Sequence, residues 1–378
     1  MRKPHAVMAA FIDLSKAFNR VDHSLVVQDL FDMKTPPWLL RIVVSYLSDR
    51  SMVLSYKGAT STNKSLPGGT PQGAFLGGLI FMIKFNGAFL RPSVPRPISL
   101  TSKSTTVKFV DDCAIAVSVD LKALVTDERS KLMPLTYHER TGHMLPVEDN
   151  LLQGYITDLQ QFASQNKMQI KTVKTCAMLF NKSRVRDFPL EIQFDDGQNL
   201  TSVEEIKLVG VVITDDLRWE KNTEFICHKA RKKLWLLRRM KSLDLTNMQM
   251  LDVYCKEVRS ILEMCVPVWH PGISKKQAAQ IERIQKIAFR IILGSRYFNY
   301  DHALKTLKVD TLQKRRITLC KTFATKNLKS EHSFFEYTKH AINTRASKSE
   351  KVSEYRCDTK RIEKSNLPYL AKLINQTN

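Results

Sequence analysis

Apolar and polar positions change period several times along the chain, and each change marks an element. "AVMAAFIDLSKAF" is an apolar run closed by a carboxylate, the pattern of a central strand that delivers Asp13 at its C-terminal end. A helix is expected over His23 to Met33. "TPPWLLRIVVSYLSDR" predicts a turn and a second helix, since proline fits a first turn and Leu39, Ile42, Val43, Tyr46 and Leu47 recur at helical spacing. "SMVLSYKG" reads as a strand, "LPGGTPQGAFLGGLIFMIKFNGAFL" as a Gly/Pro loop feeding an apolar helix, and "RPSVPRPISLTSKST" as a loop. In "KFVDDCAIAVSV" side chains alternate along Val107 to Val110 and again along Cys113 to Val119, which gives strand, tight turn, strand. Asp111 and Asp112 then sit together at the apex. Two like charges there repel, and a basic side chain or a divalent metal is expected opposite them.

Downstream, a polar segment from Asp120 to Val147 precedes a helix expected over Asp149 to Asn166, with Leu152, Ile156, Leu159 and Phe162 on one face. "MQIKTVKTCAMLFN" and "IKLVGVVITDDLRW" read as strands. From Glu224 the period turns helical, through "FICHKARKKLWLLRRMK", "MLDVYCKEVRSILEMCV" and "KKQAAQIERIQKIAFRIILG", the last stopped by Gly294. Residues 331–378 are polar and mixed in charge, the composition of a tail without fixed structure. No internal repeat is present. A mixed first part and an all-helical second part predict two domains divided near residue 220.

Composition changes this picture in one respect, its charge. The 378 residues, 43% hydrophobic and 25% charged, suffice for one large or two ordinary globular domains. Lys and Arg number 59 against 37 acids, and the net charge of +22 calls for a polyanion, nucleic acid first and an anionic membrane second. No run approaches the roughly 18 apolar residues of a membrane span, and "MRKPHAVMAAFIDL" lacks a signal-peptide pattern. The expectation is an intracellular chain, nuclear or cytoplasmic, without a membrane partner. Seven cysteines, with no CxxC pair and no tight Cys/His cluster, read as reduced core thiols. In "KARKKLWLLRRMK", Lys229, Arg231, Lys232, Lys233, Arg238, Arg239 and Lys241 surround Trp235 with no acid among them. A charge run is usually a solvated face, but this one is expected to meet a phosphate backbone.

A lone Asp after a strand is ordinarily a cap, and a Gly-flanked Gln or a "DD" in a loop is unremarkable. In this order the three are specific. "FIDLSKAFNRVDH", "GGTPQGAFLGGLIF" and "FVDD" resemble motifs A, B and C of the reverse transcriptase palm, with most likeness to non-LTR (LINE-like) retrotransposon polymerases. "KTVKTCAMLF" is similar to motif D and "IKLVGVVITDDLRW" to the motif E hairpin, so the likeness runs from about residue 6 to 330.

The resemblance implies an α+β fold: a right-hand polymerase palm over residues 1–220, an antiparallel sheet with helices on one face, followed by an all-helical thumb over 221–330 and the polar tail. It implies an RNA-directed DNA polymerase that extends a DNA primer on an RNA template from deoxynucleoside triphosphates, using two Mg2+ ions or Mn2+. Nucleotidyl transfer develops charge on the attacking and leaving oxygens together, which paired hard cations held by oxygen ligands can stabilise. By motif correspondence, Asp13 and Asp111 would bridge the ions with the Leu14 carbonyl, and Asp112 would be an outer or alternate ligand. Phe18 would gate the sugar, Gln72 and Gly73 would meet the nucleotide beside Gly68 and Gly69, and Lys174 would act as general acid for the pyrophosphate. Leu208, Val209 and Gly210 would seat the primer end.

Three positions depart from the pattern. Asn19 stands where many relatives have Asp, Lys171 replaces an Asn, and Gly77 with Gly78 replaces Gly then Pro, which is expected to loosen the start of the helix. The likeness also starts at motif A, so the expectation is a palm and thumb portion without the fingers of a larger element-encoded protein. Two alternatives follow from that: a catalytically inactive nucleic-acid-binding remnant, and a product too unstable to fold.

Overall fold

A computed structural model of the chain describes residues 5–71, 73–86, 104–109, 112–120, 137–138, 143–144, 151–180, 192–328 and 365–376. It divides into two units, Met1–Glu205 and Ile206–Asn378.

In the first unit "HAVMAAFI" forms β1 (His5–Ile12). α1 (His23–Asp32) and α2 (Pro37–Leu47) follow as the apolar spacing requires. α1 starts where Asp22 Oδ1 accepts from the backbone N–H groups of Ser24 and Leu25 at 3.0 and 3.2 Å, an N-cap. "SMVLSYKG" is no single strand. It splits into β2 (Ser51–Met52) and β3 (Ser55–Tyr56), which pair with β5 (Lys64–Ser65) and β4 (Ala59–Thr60) of the residues that follow. All of residues 51–65 are exposed, so no buried face imposes a longer alternation. α3 (Phe75–Asn86), β6 (Ser104–Phe109) and β7 (Asp112–Asp120) come next. β8 (Tyr137–His138) and β9 (His143–Met144) pair inside the segment expected to be polar loop. α4 (Leu151–Gln165), β10 (Cys176–Phe180) and β11 (Thr201–Ser202) complete the unit. Within "MQIKTVKTCAMLFN" only the second half is extended, since Thr172–Lys174 coils into a 3-10 turn.

The sheet order is β11-β10-β1-β7-β6, so β1 is central. Its pairs are antiparallel except β10 with β11, which is parallel, a departure from the all-antiparallel expectation. Met8, Ala10 and Ile12 of β1 share one buried cluster with Cys113 and Ile115 of β7 and Ala177 of β10, packed against all four helices. Val26 and Leu30, Val43 and Leu47, Phe81 and Phe85, and Leu152, Ile156 and Leu159 are the helical contributions. Helices thus cover one face of the sheet. Ala9, Phe11 and Met178, on the opposite face, are buried too.

The second unit begins with a hairpin, β12 (Glu205–Leu208) and β13 (Val211–Thr214), and this moves the boundary from the expected 220. Val211 belongs to the helical core, Asn222 Oδ1 accepts from Val212 N at 3.1 Å, and Lys207 Nζ lies 4.7 Å over the Phe225 ring. α5 (Glu220–Lys241) buries Ile226, Ala230, Leu234 and Leu237. α6 (Asn247–Val253) runs on through a π-helical stretch, Tyr254–Arg259, into α7 (Ser260–Glu263). Tyr254 in that stretch is fully buried and donates to Gln285 Oε1 at 2.6 Å. α8 (Val266–Trp269) leads to α9 (Lys275–Leu293), opened by a Ser274/Gln277 capping box and stopped at Gly294. α10 (Tyr300–Leu307) and α11 (Leu312–Leu328) follow. The tail expectation needs correction at its end, where α12 (Asn366–Asn375) inserts Leu370, Ala371, Leu373 and Ile374 into the same core. The six cysteines among the described residues are free thiols. No described helix is long and apolar enough to cross a membrane.

Candidate active site

Asp13 follows directly on Ile12, the last residue of β1, whose partner on β7 is Cys113. Across the β6–β7 hairpin Asp112 pairs with Phe109. One further step of this register sets the Asp13 backbone beside that of Asp112, so the end of β1 and the tip of the hairpin share one edge of the sheet. Facing residues of an antiparallel pair have Cα atoms about 4.5–5.5 Å apart. Asp111 lies outside the described residues, as does the side chain of Asp112.

The loop after α4 is stitched onto Asp13. Lys171 N donates to the Asp13 carbonyl at 2.8 Å, and Asp13 N donates to Thr175 Oγ1 at 3.4 Å. The buried Thr175 hydroxyl in turn donates to the Lys171 carbonyl at 3.0 Å. This short turn brings Lys174 Nζ to 4.0 Å from Asp13 Oδ2. With side chains 63% and 35% exposed, the two charges meet at the rim in solvent, a contact too screened to lock either in place. Leu14 faces Ile170 across an isolated bridge whose flanking bonds, Lys171 N to Asp13 O and Ser15 N to Gln169 O, leave the Leu14 carbonyl out.

Phe18 stands on a 3-10 turn, Ala17–Arg20, with its half-buried ring stacked on Phe81 of α3 at 4.7 Å and 25°. Core stacking therefore fixes the ring. The "GGT" loop lies directly on this turn: Thr70 N donates to the Phe18 carbonyl at 2.9 Å and Gly69 N to the Val21 carbonyl at 2.8 Å. A Cβ on Gly69 would come within 3.0 Å of Asn19 Cα, and its φ of 81° favours glycine as well. One on Gly77 would sit 2.3 Å from the Pro71 carbonyl oxygen, so this glycine lets loop and helix approach. Gly73 is exposed in open space at φ 84°, and Gln72 lies outside the described residues.

Sequence reasoning passed over three residues that tie these loops together. His23 Nε2 lies 2.8 Å from the Gly69 carbonyl oxygen, joining α1 to the glycine loop. Lys167 Nζ donates to Asp22 Oδ2 at 2.6 Å, joining the loop after α4 to the cap of α1. That hydrogen bond, aided by one from Ser24, holds the Asp22 carboxyl well below the usual carboxylate range. His23 was in view as the last letter of "FIDLSKAFNRVDH", and an Asp before an apolar helix is a capping signal.

On α5 of the second unit, Lys229, Arg231, Lys232, Arg238 and Arg239 are exposed, with no carboxylate paired to them among the described residues. The absence of any acidic partner holds only within the helix, because Lys233 Nζ reaches Glu257 Oε2 at 2.8 Å. Lys241 donates to the Ile292 carbonyl at 2.9 Å and is half-buried, which makes it a strut of the helical core. Among the described residues no three His, Cys, Asp or Glu side chains gather as a metal site.

Residues 1–213, more than half of the chain, match the family described as "Reverse transcriptase (RNA-dependent DNA polymerase)". The chain belongs to the reverse transcriptase family. The motifs from the Asp13 strand through β10 lie inside the matched span of this reverse transcriptase, and the β12–β13 hairpin lies inside it as far as Ile213. It is similar to the "Probable RNA-directed DNA polymerase from transposon X-element" of Drosophila melanogaster, 24% identical over 309 residues, 80% of this chain and 30% of the relative. A second relative, the "Probable RNA-directed DNA polymerase from transposon BS" of the same organism, is 24% identical over 303 residues, 77% of this chain and 29% of the relative. This reverse transcriptase chain thus spans about a third of the length of the curated relatives it matches. Among solved structures, apo telomerase from Candida tropicalis superposes over 87% of this chain and 52% of its own with a TM-score of 0.36 at 13% identity.

Proposed function

We propose that the chain is the palm and thumb portion of a non-LTR retrotransposon RNA-directed DNA polymerase, extending a DNA 3′ end on an RNA template. One observation carries the reading: the β1–β7 register, Ile12 against Cys113, which brings the Asp13 backbone to the hairpin of the second carboxylate motif. The donor set fits a hard divalent cation. It consists of the half-buried Asp13 carboxylate, the Leu14 carbonyl that the flanking bridge leaves out, and the carboxylates of Asp111 and Asp112. Bound there, Mg2+ would stabilise charge developing on the attacking and leaving oxygens.

The chain's own side chains have separate tasks in this reading. Asp13 and Asp111 would hold the cations, with Asp112 as an outer or alternate ligand. Phe18, braced on Phe81, presents its ring edge to the sugar and selects deoxynucleotides by bulk. Gln72 and Gly73 meet the incoming nucleotide from a loop whose backbone His23 anchors at Gly69. Lys174, exposed on its turn, gives up a proton from Nζ to the departing pyrophosphate. Lys229, Arg231, Lys232, Arg238 and Arg239 of the thumb contact phosphates, and the chain works inside the cell where its template is.

Primer extension on an RNA template with Mg2+ and deoxynucleoside triphosphates tests this. Asp13→Asn is expected to lower extension by at least about a hundredfold with unchanged thermal stability, since the carboxylate touches no core group. Extension that survives in Asp13→Asn would remove the polymerase assignment.

A further inference from the structure

Trp235 is 66% exposed on a helix whose other side is buried, so nothing among the described residues covers the indole. One helical turn before it stand Arg231 and Lys232, and one turn after it Arg238 and Arg239, all four exposed and without a paired carboxylate among the described residues. Residues spaced this way lie on one stripe, and the four cations frame the ring from both ends of it. The stripe from Arg231 to Arg239 is about 12 Å long at the helical rise, the reach of a few phosphates.

A cationic stripe alone would serve any polyanion. The indole at its centre narrows the choice. An exposed indole gains most from a flat partner with a free face, and a paired base offers its faces only to its own stacked neighbours. An unpaired base has one to give, and its backbone supplies phosphates for the flanking cations. We infer that the outward stripe of α5 is a binding surface for single-stranded nucleic acid, with Trp235 stacking on an unpaired base and Arg231, Lys232, Arg238 and Arg239 on the flanking phosphates. This rests on the reading of the second unit as nucleic-acid-binding, and adds to it the strandedness of the ligand and the residue that selects it.

The test compares the full chain on a labelled single-stranded RNA 12-mer, on the blunt duplex of that sequence, and on a 12-mer with abasic sites at its centre. Trp235→Ala, on an exposed position that leaves the core intact, is expected to weaken single-strand binding about tenfold and leave duplex binding within twofold. Trp235→Phe should keep most of the affinity, and abasic sites should weaken the wild type as Trp235→Ala does. In a Trp38→Phe background the remaining exposed indole is Trp235, since Trp219 and Trp269 are buried, so the single strand should quench the fluorescence. Equal loss on strand and duplex, or no loss on either, overturns the stacking role while leaving the thumb reading in place. A wild type that binds none of the three ligands at low salt removes both.

Discussion

The two units treat polar groups in opposite ways. In the first, Asp13 and Lys174 stand at the sheet edge in solvent, and the one deeply buried cation among the described residues, Lys84, is paired with Asp29 at 2.7 Å. In the second, the polar side chains sunk in the core are struts. Gln285, in the core, accepts from Tyr254 and donates to Tyr300 Oη at 2.7 Å, and Glu282 takes the Leu312 N–H at 3.0 Å as well as the Tyr300 hydroxyl. One strut is incomplete: Arg316 is 0% exposed, yet its guanidinium nitrogens have no hydrogen-bond partner among the described residues. The nearby carboxylates of Glu263 and Glu282 are engaged by Arg315 and by the start of α11. The difference teaches that carboxylates left accessible at a rim are free for a ligand, whereas polar groups sunk in a core are committed to the fold.

The contrast can be broken most readily in the helical core. Phe289→Ala removes a fully buried ring packed on Tyr254 and is expected to cost about 3–5 kcal/mol in urea denaturation, while Lys174→Ala should cost less than about 1 kcal/mol. Similar costs for the two would end the distinction between rim and core. Next comes pH. Burial, then the charge of Arg316, pushes the His270 imidazole down to about 4, below its ordinary 6.5. The unfolded chain therefore binds the extra proton first as pH falls. Stability is complete above about 6.5 and is lost progressively toward pH 4, by up to about 3 kcal/mol. His270→Leu should flatten that window in denaturation curves at pH 7 and 4.5, and an unaltered slope would show that His270 is already charged in the fold.

Arg316→Met has the opposite sign. Replacing an unpaired buried charge by an apolar chain of similar length should leave stability unchanged or raise it by about 1 kcal/mol. A loss above about 2 kcal/mol would mean that the guanidinium is satisfied after all. The smallest effect is expected at Lys233→Met, about 0.2–1 kcal/mol for a half-exposed pair with Glu257, diminished by salt.

Elements with a strong local period were legible: β1 with Asp13 at its end, the face of α4, and α9 with Gly294 as its stop. Long-range partners were not. Nothing near Lys233 announces Glu257, because the contact depends on how α5 packs against the π-helical stretch. The unit boundary failed for a similar reason: Val211 reads equally well as the last strand of the sheet or the first residue of the helical core, and packing decides. In "NLPYLAKLIN" the helical spacing of Leu370, Leu373 and Ile374 was present but diluted by its polar surroundings. Of the candidate site, residue types and order were readable, while the stitching of the Lys171–Thr175 turn onto Asp13 became visible only in three dimensions.

Because pleated side chains repeat every two residues, the central strand leaves no room for slippage. Adding or deleting a single amino acid between Val7 and Ile12 would rotate Asp13 away from its edge and drive apolar side chains off the helices, erasing the geometry at a stroke.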